Sequence, residues 1–464
     1  MKSIDLAVVS SDSRFLQRAT DVARVFGFEY ETFESVDVFF EKGEAFKGVT
    51  CIILDCGKIE KSNEAAGMTQ VACQMAADSY IIIVMNSKLR PEDARIIKAS
   101  GASLVMMENE FYASSKLEFV TSQVIRSAYI PVKNVDLVPG TEVDFPLFHL
   151  MPVNKKFLKV AKPGVIIRED FLQKYQDVGE FYLRRQDLAK WVEYSHGFEA
   201  DDSQSLLRKC RLRFLQLNQS FLELALMISD QSSAASFALG KEMYGTCEAF
   251  ATELLDSLTH VQNPWVVINS SAVGDFGSLE RAPAIAAYAG LLSSLSKTGD
   301  PKEVMIGALL ADVGYLELSP STSAKIRENR VQDMHDEEKM EYSKHPIYSL
   351  NQCLSRKLPF SEAIKSMILQ SHERADQKGF PNKINSDKIV EEAMLIRLCW
   401  ELDNAAQIRL GEERRDINAV KNEIAGDYLS SMGSYSVGFM IKMQPIILKP
   451  DELEEKTLGK VRIH

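Results

Sequence analysis

Ser371-His372-Glu373-Arg374-Ala375-Asp376-Gln377-Lys378-Gly379-Phe380-Pro381 is the stretch on which the fold turns. A histidine and two acids stand just ahead of a Gly-aromatic-Pro loop. Two upstream segments belong with it, Ala311-Asp312-Val313-Gly314-Tyr315 and Lys344-His345-Pro346. Together they supply Asp312, His345 and His372. Two imidazoles and one carboxylate can bind a single metal ion; equally, they can serve as hydrogen-bonded polar groups inside a helical bundle.

The frame around that stretch is an ordinary globular one. At 464 residues the chain exceeds one typical core and implies two to four domains. No run of about eighteen apolar residues occurs, and Met1-Lys2-Ser3-Ile4-Asp5 leads into a strand-like stretch without a signal-peptide pattern, so no membrane span and a cytoplasmic location are expected. The seven cysteines lack zinc-type pairs and read as reduced thiols. A net charge of -11 argues against nucleic-acid binding, which needs clustered Lys and Arg. The one basic cluster, Arg208 to Arg213, reads as the solvated face of a helix.

Four regions follow along the chain. Residues 1–130 alternate strand and helix: Ile4–Val9, Val49–Leu54 and Tyr80–Met85 are apolar runs of the buried parallel type, with helices over Ser13–Phe26 and Pro91–Ser100. Residues 138–195 form a small α+β module with strands at Phe145–Val153, Phe157–Val160 and Glu180–Leu183 and a helix at Arg185–Tyr194. There Arg184 and Arg185 are candidates for a phosphate clamp, although no accompanying Asp, Ser and Gly pattern follows them. Residues 203–268 are a helical connector. Within it Leu207, Cys210, Phe214, Leu217, Phe221, Leu224 and Ile228 keep heptad spacing, the mark of a seam for homodimerisation, while Leu206, Leu212, Leu215, Leu222 and Leu226 widen the face as bundle core would. Residues 269–445 carry the quoted motifs.

The motifs resemble those of the HD-GYP domain, a metal-dependent cyclic di-GMP phosphodiesterase module, in degenerate form. The resemblance covers some 160 residues and implies an all-α bundle. In that family a His, a His-Asp doublet of HDxGK type, a lone His, an HHExxDGxGYP segment and a final Asp converge on two or three metal ions. Matched onto this chain, the first His falls on Ala282, the doublet on Ala311 and Asp312, the motif's Lys on Tyr315, the lone His on His345, the His pair on Ser371 and His372, and the final Asp on Trp400, with Asp403 on the second Asp of that pattern. Glu373, Asp376, Gly379 and Pro381 match, Phe380 replaces Tyr, and Gln377 replaces the loop's first Gly. Three of seven ligand positions survive. The resemblance therefore implies lost hydrolytic competence, no cofactor and no dinuclear metal, since such a centre needs several protein ligands per ion. It also implies a protein partner, with a diguanylate cyclase domain as the candidate, contacted through Gly379, Phe380 and Pro381; the other reading has Phe380 closing the bundle as core.

The first 130 residues are similar to a response-regulator receiver domain. Asp55 falls on the phosphoacceptor position, but the acidic pair falls on Ser10 and Ser11 beside Asp12, the hydroxyl position near Asn86 and the lysine position near Glu108. A glutamate there would repel a phosphoryl group, so Asp55 is expected to go unused. The resulting expectation is a multidomain α/β plus α chain: a receiver-like α/β sandwich, a small strand-rich module and an all-α HD bundle. Its function is read as non-catalytic signalling, with a non-hydrolysing cyclic di-GMP sensor as the alternative and a residual metal-dependent phosphodiesterase behind it.

Overall fold

In the computed structural model the described residues are 4–42, 48–59, 61–86, 88, 90–151, 156–175, 179–198, 203–230, 236–273, 277–407, 414–430 and 433–448. The apolar runs near the N-terminus pair as parallel strands β1 (Leu6–Val9), β2 (Tyr30–Phe33), β3 (Cys51–Cys56), β4 (Tyr80–Met85) and β5 (Leu104–Met107). Their order is β2-β1-β3-β4-β5, a doubly wound arrangement. Ile52, Leu54, Ile81 and Ile83 enter one core and Cys51, Ile53, Ile82 and Val84 another. Helices on both faces bury both sets, which is why these strands read as unbroken apolar runs. The helix Ser13–Phe26 starts where Asp12 accepts N–H bonds from Arg14 and Phe15 and stops at Gly27, whose φ of 71° is left-handed.

The helix Lys116–Arg126 is buried nearly all round, polar positions included. Leu117, Val120 and Val124 face the sheet core. Its other side meets the C-terminal domain: the Ser115 N–H donates to the Leu318 carbonyl at 2.7 Å, the Ser115 hydroxyl to the Tyr315 carbonyl at 2.7 Å, and the Gln123 amide to Glu280 Oε1 at 2.6 Å. A helix packed on two sides buries polar groups only where such partners exist.

The middle module is a four-stranded antiparallel sheet in the order β6 (Tyr129–Lys133), β11 (Glu180–Arg184), β8 (Leu147–Met151), β9 (Lys156–Ala161), with a short pair β7 (Glu142–Val143) and β10 (Val165–Ile166) beside it. Strand β6 belongs to this sheet although it precedes residue 138, where the module was expected to begin. A 3-10 turn at Arg185–Asp187 precedes the helix Leu188–His196.

The long helix Ser203–Ser229 shows its apolar face packed as bundle core, one of the two readings of its spacing, and corrects the reading of its basic cluster. Cys210, Phe214, Leu217, Phe221, Leu224 and Ile228 are all buried within the chain, in one core with the helix Ser236–Leu258 and the C-terminal bundle. These positions of the heptad seam are thus packed within the chain. The cluster 208–213 is not a solvated face: Arg208 is buried, Arg211 pairs with Asp136, and Arg213 with Glu253 at 2.8 Å. The C-terminal part is helical throughout, from Pro264–Ser271 to Val437–Leu448. Its central helix Ala282–Ser296 is apolar on every side and correspondingly buried. Among the described residues no helix is long and apolar enough to cross a membrane, and all seven cysteines are free thiols.

Candidate functional site

Three helix ends bring Asp312, His345 and His372 together. The helix Pro301–Leu310 ends two residues before Asp312, and the chain turns through a 3-10 segment at Val313–Glu317. That turn passes so close to the next helix that a Cβ on Gly314 would lie 2.1 Å from the His345 carbonyl oxygen and 2.6 Å from Ser349 N. Only glycine fits there. The Gly314 N–H donates to Ser349 Oγ at 2.7 Å, and the Ser349 hydroxyl donates to the Ala311 carbonyl at 2.6 Å. His345 opens the helix His345–Ser355, and His372 follows the helix Glu362–Gln370.

Both histidine Nε2 atoms face one carboxylate oxygen, Asp312 Oδ1, at 3.3 Å from His345 and 3.2 Å from His372. Each residue offers a ligand atom within 4.8 Å of the other two, and all three residues are buried. His345 Nδ1 lies 2.7 Å from the Tyr342 carbonyl, which can only accept, so Nδ1 carries the proton. In the neutral ring Nε2 then keeps its lone pair, and it has no hydrogen bond of good geometry. An imidazole fixed through one nitrogen by a backbone carbonyl is the arrangement a metal-ligating histidine uses. Burial pushes the His345 pKa below its ordinary value against the pull of Asp312. For Asp312 burial acts upward, but the two imidazoles beside it, His345 first and then His372, reverse it and hold the carboxyl well below the usual range.

The donor set fits one ion and not two. Ala282 and Ala311 are buried and carry no ligand atom; Ser371 is buried with its hydroxyl given to the Ile368 carbonyl at 3.1 Å. The Trp400 ring stands edge-on to His372, centroids 5.7 Å apart. Asp403 faces away from the cluster and accepts from Arg281 Nε at 2.6 Å and Arg414 Nη2 at 2.5 Å, with Arg281 and Asp403 almost fully buried. Aromatic rings fill the remaining space: Tyr315 lies 4.6 Å and Tyr342 5.1 Å from the His345 ring.

Of the two readings of the loop's aromatic, outward anchor and bundle-closing core, the contacts of the ring match the second. Phe380 is half-buried, its ring stacked on His372 at 4.9 Å and 10°, with Tyr342 at 5.3 Å and His345 at 5.6 Å. The turn that carries it leaves no room for a side chain at Gly379, where a Cβ would sit 2.3 Å from Arg374 N and 2.6 Å from the His372 oxygen. The Phe380–Pro381 peptide bond is cis. Glu373 fastens the loop by accepting from the Asn382 and Lys383 N–H groups at 2.6 and 3.1 Å and from Ile384 N–H at 3.3 Å. Asp376 is held by Arg374 at 2.7 Å, apart from the cluster. Gln377 adopts the left-handed φ of 59° where the family places glycine.

In the N-terminal domain Asp55 lies within β3 opposite Val84. Its Oδ2 accepts from the Ser10 hydroxyl at 2.5 Å and its Oδ1 from the Gly57 N–H at 2.9 Å. Asp12 is spent as a helix cap, and those N–H bonds, from Phe15 first and then Arg14, pull its pKa down. Asn86 donates to the Gly57 carbonyl at 2.9 Å. In the middle module Arg184 lies over the Phe148 ring, whereas Arg185 bonds Ser127 and Glu223. The two guanidiniums diverge and form no clamp.

Several functional neighbours had no sequence signal. Ser349, Tyr342 and the Ser10 bond to Asp55 depend on contacts between distant segments. Arg281 was the exception: a cation beside an expected ligand position invites a search for its carboxylate.

Residues 264–422 match the family model described as HD domain. That stretch is an HD domain. No curated protein matches the chain. Among solved structures the chain is similar to "Bd1817, a HDG"Y"P protein from Bdellovibrio bacteriovorus", at 14% identity over 69% of this chain and 99% of that one, with a TM-score of 0.45.

Proposed function

We propose that the chain is a degenerate HD-GYP signalling protein that acts as a scaffold or regulatory partner in cyclic di-GMP and two-component signalling and does not hydrolyse the dinucleotide. The observation that carries this is the reduced ligand set. Asp312, His345 and His372 converge on one point, and the flanking positions hold Ala282, Ala311, Ser371 and the Trp400 indole. An indole N–H is a donor where a metal requires an acceptor. Two ions about 3.5–4 Å apart need more ligands than these.

The N-terminal domain fits the same role. Its strand order is that of receiver-type doubly wound sheets, and Ser10 and Gly57 already occupy Asp55. Its last helix is bonded to the turn that follows Asp312 and to Glu280, two residues before Ala282. A domain seated there is placed to hold the HD bundle in one arrangement. The loop bearing Gly379, Phe380 and Pro381 is proposed as the partner-contacting face, a diguanylate cyclase domain being the candidate partner, with Phe380 as its inner support and Gln377, Lys378, Asn382 and Lys383 exposed around it.

A single-metal site is the second reading. The Nδ1–H bond of His345 to Tyr342, which leaves Nε2 available beside Asp312, favours it. Asp312, His345 and His372 would hold the ion, which would supply Lewis acidity to a bound phosphate. Elemental analysis after growth in iron-, manganese- and zinc-supplemented medium tests both readings. At most one ion per chain is expected, and two or more would contradict the proposal. Calorimetry with cyclic di-GMP then separates a non-hydrolysing sensor, which binds, from a scaffold, which does not.

A further inference from the structure

We infer that the cleft between the middle module and the HD domain binds an elongated amphipathic carboxylate whose charged end lies on Arg208. The cleft, about 120 Å³, runs between β6 and the helix Leu188–His196 on one side and the long connector helix on the other, and is closed by Ser270–Val273 after the first HD helix. It far exceeds the roughly 10–15 Å³ that one water needs on the same measure.

Its charges leave one cation over. Lys133 pairs with Glu180 at 2.5 Å, and Arg211 Nε bonds Asp136 Oδ2 at 2.9 Å. Arg208 is only 9% exposed and has no carboxylate partner among the described residues; its one hydrogen bond is a long one, 3.4 Å, to the Phe198 carbonyl, and its Nε has none. A buried cation is normally paired, because water is not there to solvate it. Two further lining side chains, Ser195 at 3% exposure and Asn218 at 5%, keep buried polar atoms without partners, Ser195 Oγ and Asn218 Nδ2. Arg208, Ser195 and Asn218 thus each keep a buried polar atom without a partner among the described residues, all three in the lining of one cleft.

The spacing sets the ligand's form. Arg208, Leu212, Leu215 and Asn218 fall on one face of the helix, and the ends are ten residues apart, about 15 Å at the helical rise. An anion at Arg208, an apolar body across Leu212, Leu215 and Trp191, and a hydrogen-bond acceptor toward Asn218 match that face in order. One unpaired guanidinium matches one negative charge, which favours a carboxylate over a phosphate dianion. Because the walls come from both the module and the HD domain, occupancy would couple the two.

The test uses the full chain in thermal melts with octanoate, its neutral analogue octanamide, and inorganic phosphate. Octanoate at several times its Kd should raise the melting temperature by about 2–4 °C, and octanamide and phosphate by less than half of that. Arg208→Met should abolish the octanoate response. If that variant does not fold, Arg208→Gln replaces it: its amide keeps a hydrogen-bonding head in the same place without the charge and should leave a folded protein that responds to octanoate no more than to octanamide. Octanamide or phosphate acting as strongly as octanoate, no response to octanoate, or a full response in the variant that folds would each overturn the assignment.

Discussion

Replacing Phe380 by alanine probes whether the loop's aromatic is a wall of the buried cluster or an outward anchor. In the structure its ring stacks on His372 and meets His345 and Tyr342 edge-on. A fully buried Phe→Ala change costs about 3–5 kcal/mol. Phe380 is half-buried, so roughly half of that, about 1.5–2.5 kcal/mol, is expected. For a helical domain of this size each kcal/mol moves the transition by about 2–4 °C, which gives a fall of about 3–10 °C. Calorimetry of the full chain, following the HD transition, reads it directly, and Phe380→Leu should recover much of the loss because it refills the space. An HD transition moved by less than about 1 °C, together with lost partner capture, would refute the inward placement and restore the anchor.

Other expectations follow from single contacts. Gly314→Ala should prevent the turn after Asp312 from closing, since its Cβ would overlap the His345 carbonyl; soluble, fully stable protein would contradict this. Arg281→Ala should destabilise by about 1–3 kcal/mol because it strips one of two guanidinium partners from the buried Asp403, Arg414 remaining, read as a shifted urea midpoint with unchanged slope. Acetyl phosphate should leave Asp55 unmodified by intact mass, its oxygens being taken by Ser10 and Gly57; a phosphoryl adduct would count against it. Burial pushes the thiols of Cys210, Cys247 and Cys353 up to about 12, so iodoacetamide at pH 8 should reach the half-buried Cys73 first and these three only on unfolding.

The architecture was legible where a single periodicity decided it. Tyr80–Met85 and Ser13–Phe26 are read directly, because an apolar run covered on both faces and a helix capped by Asp12 and stopped by Gly27 carry their own boundaries. Strand β2 was not, since Tyr30 and Glu31 at the sheet edge lack an apolar run, nor was β6, whose alternation is interrupted by Pro131. The convergence of Asp312, His345 and His372 was implied by the resemblance to the HD-GYP motifs. The side taken by Phe380 stayed open between anchor and core, because it depends on a loop whose shape is set by Gly379 and by three N–H groups on Glu373. The connector face was open between a dimer seam and bundle core: heptad spacing states that a helix has a partner, and here the residues it packs on belong to the same chain.

The most direct test of the account is turnover itself. Purified full-length protein, supplied with iron, manganese or zinc, should leave cyclic di-GMP intact on prolonged incubation under conditions where an active HD-GYP phosphodiesterase consumes it, and His372→Ala should change nothing. Hydrolysis that is metal-dependent and disappears in His372→Ala would contradict the non-catalytic reading, and would show that three ligands on one ion suffice.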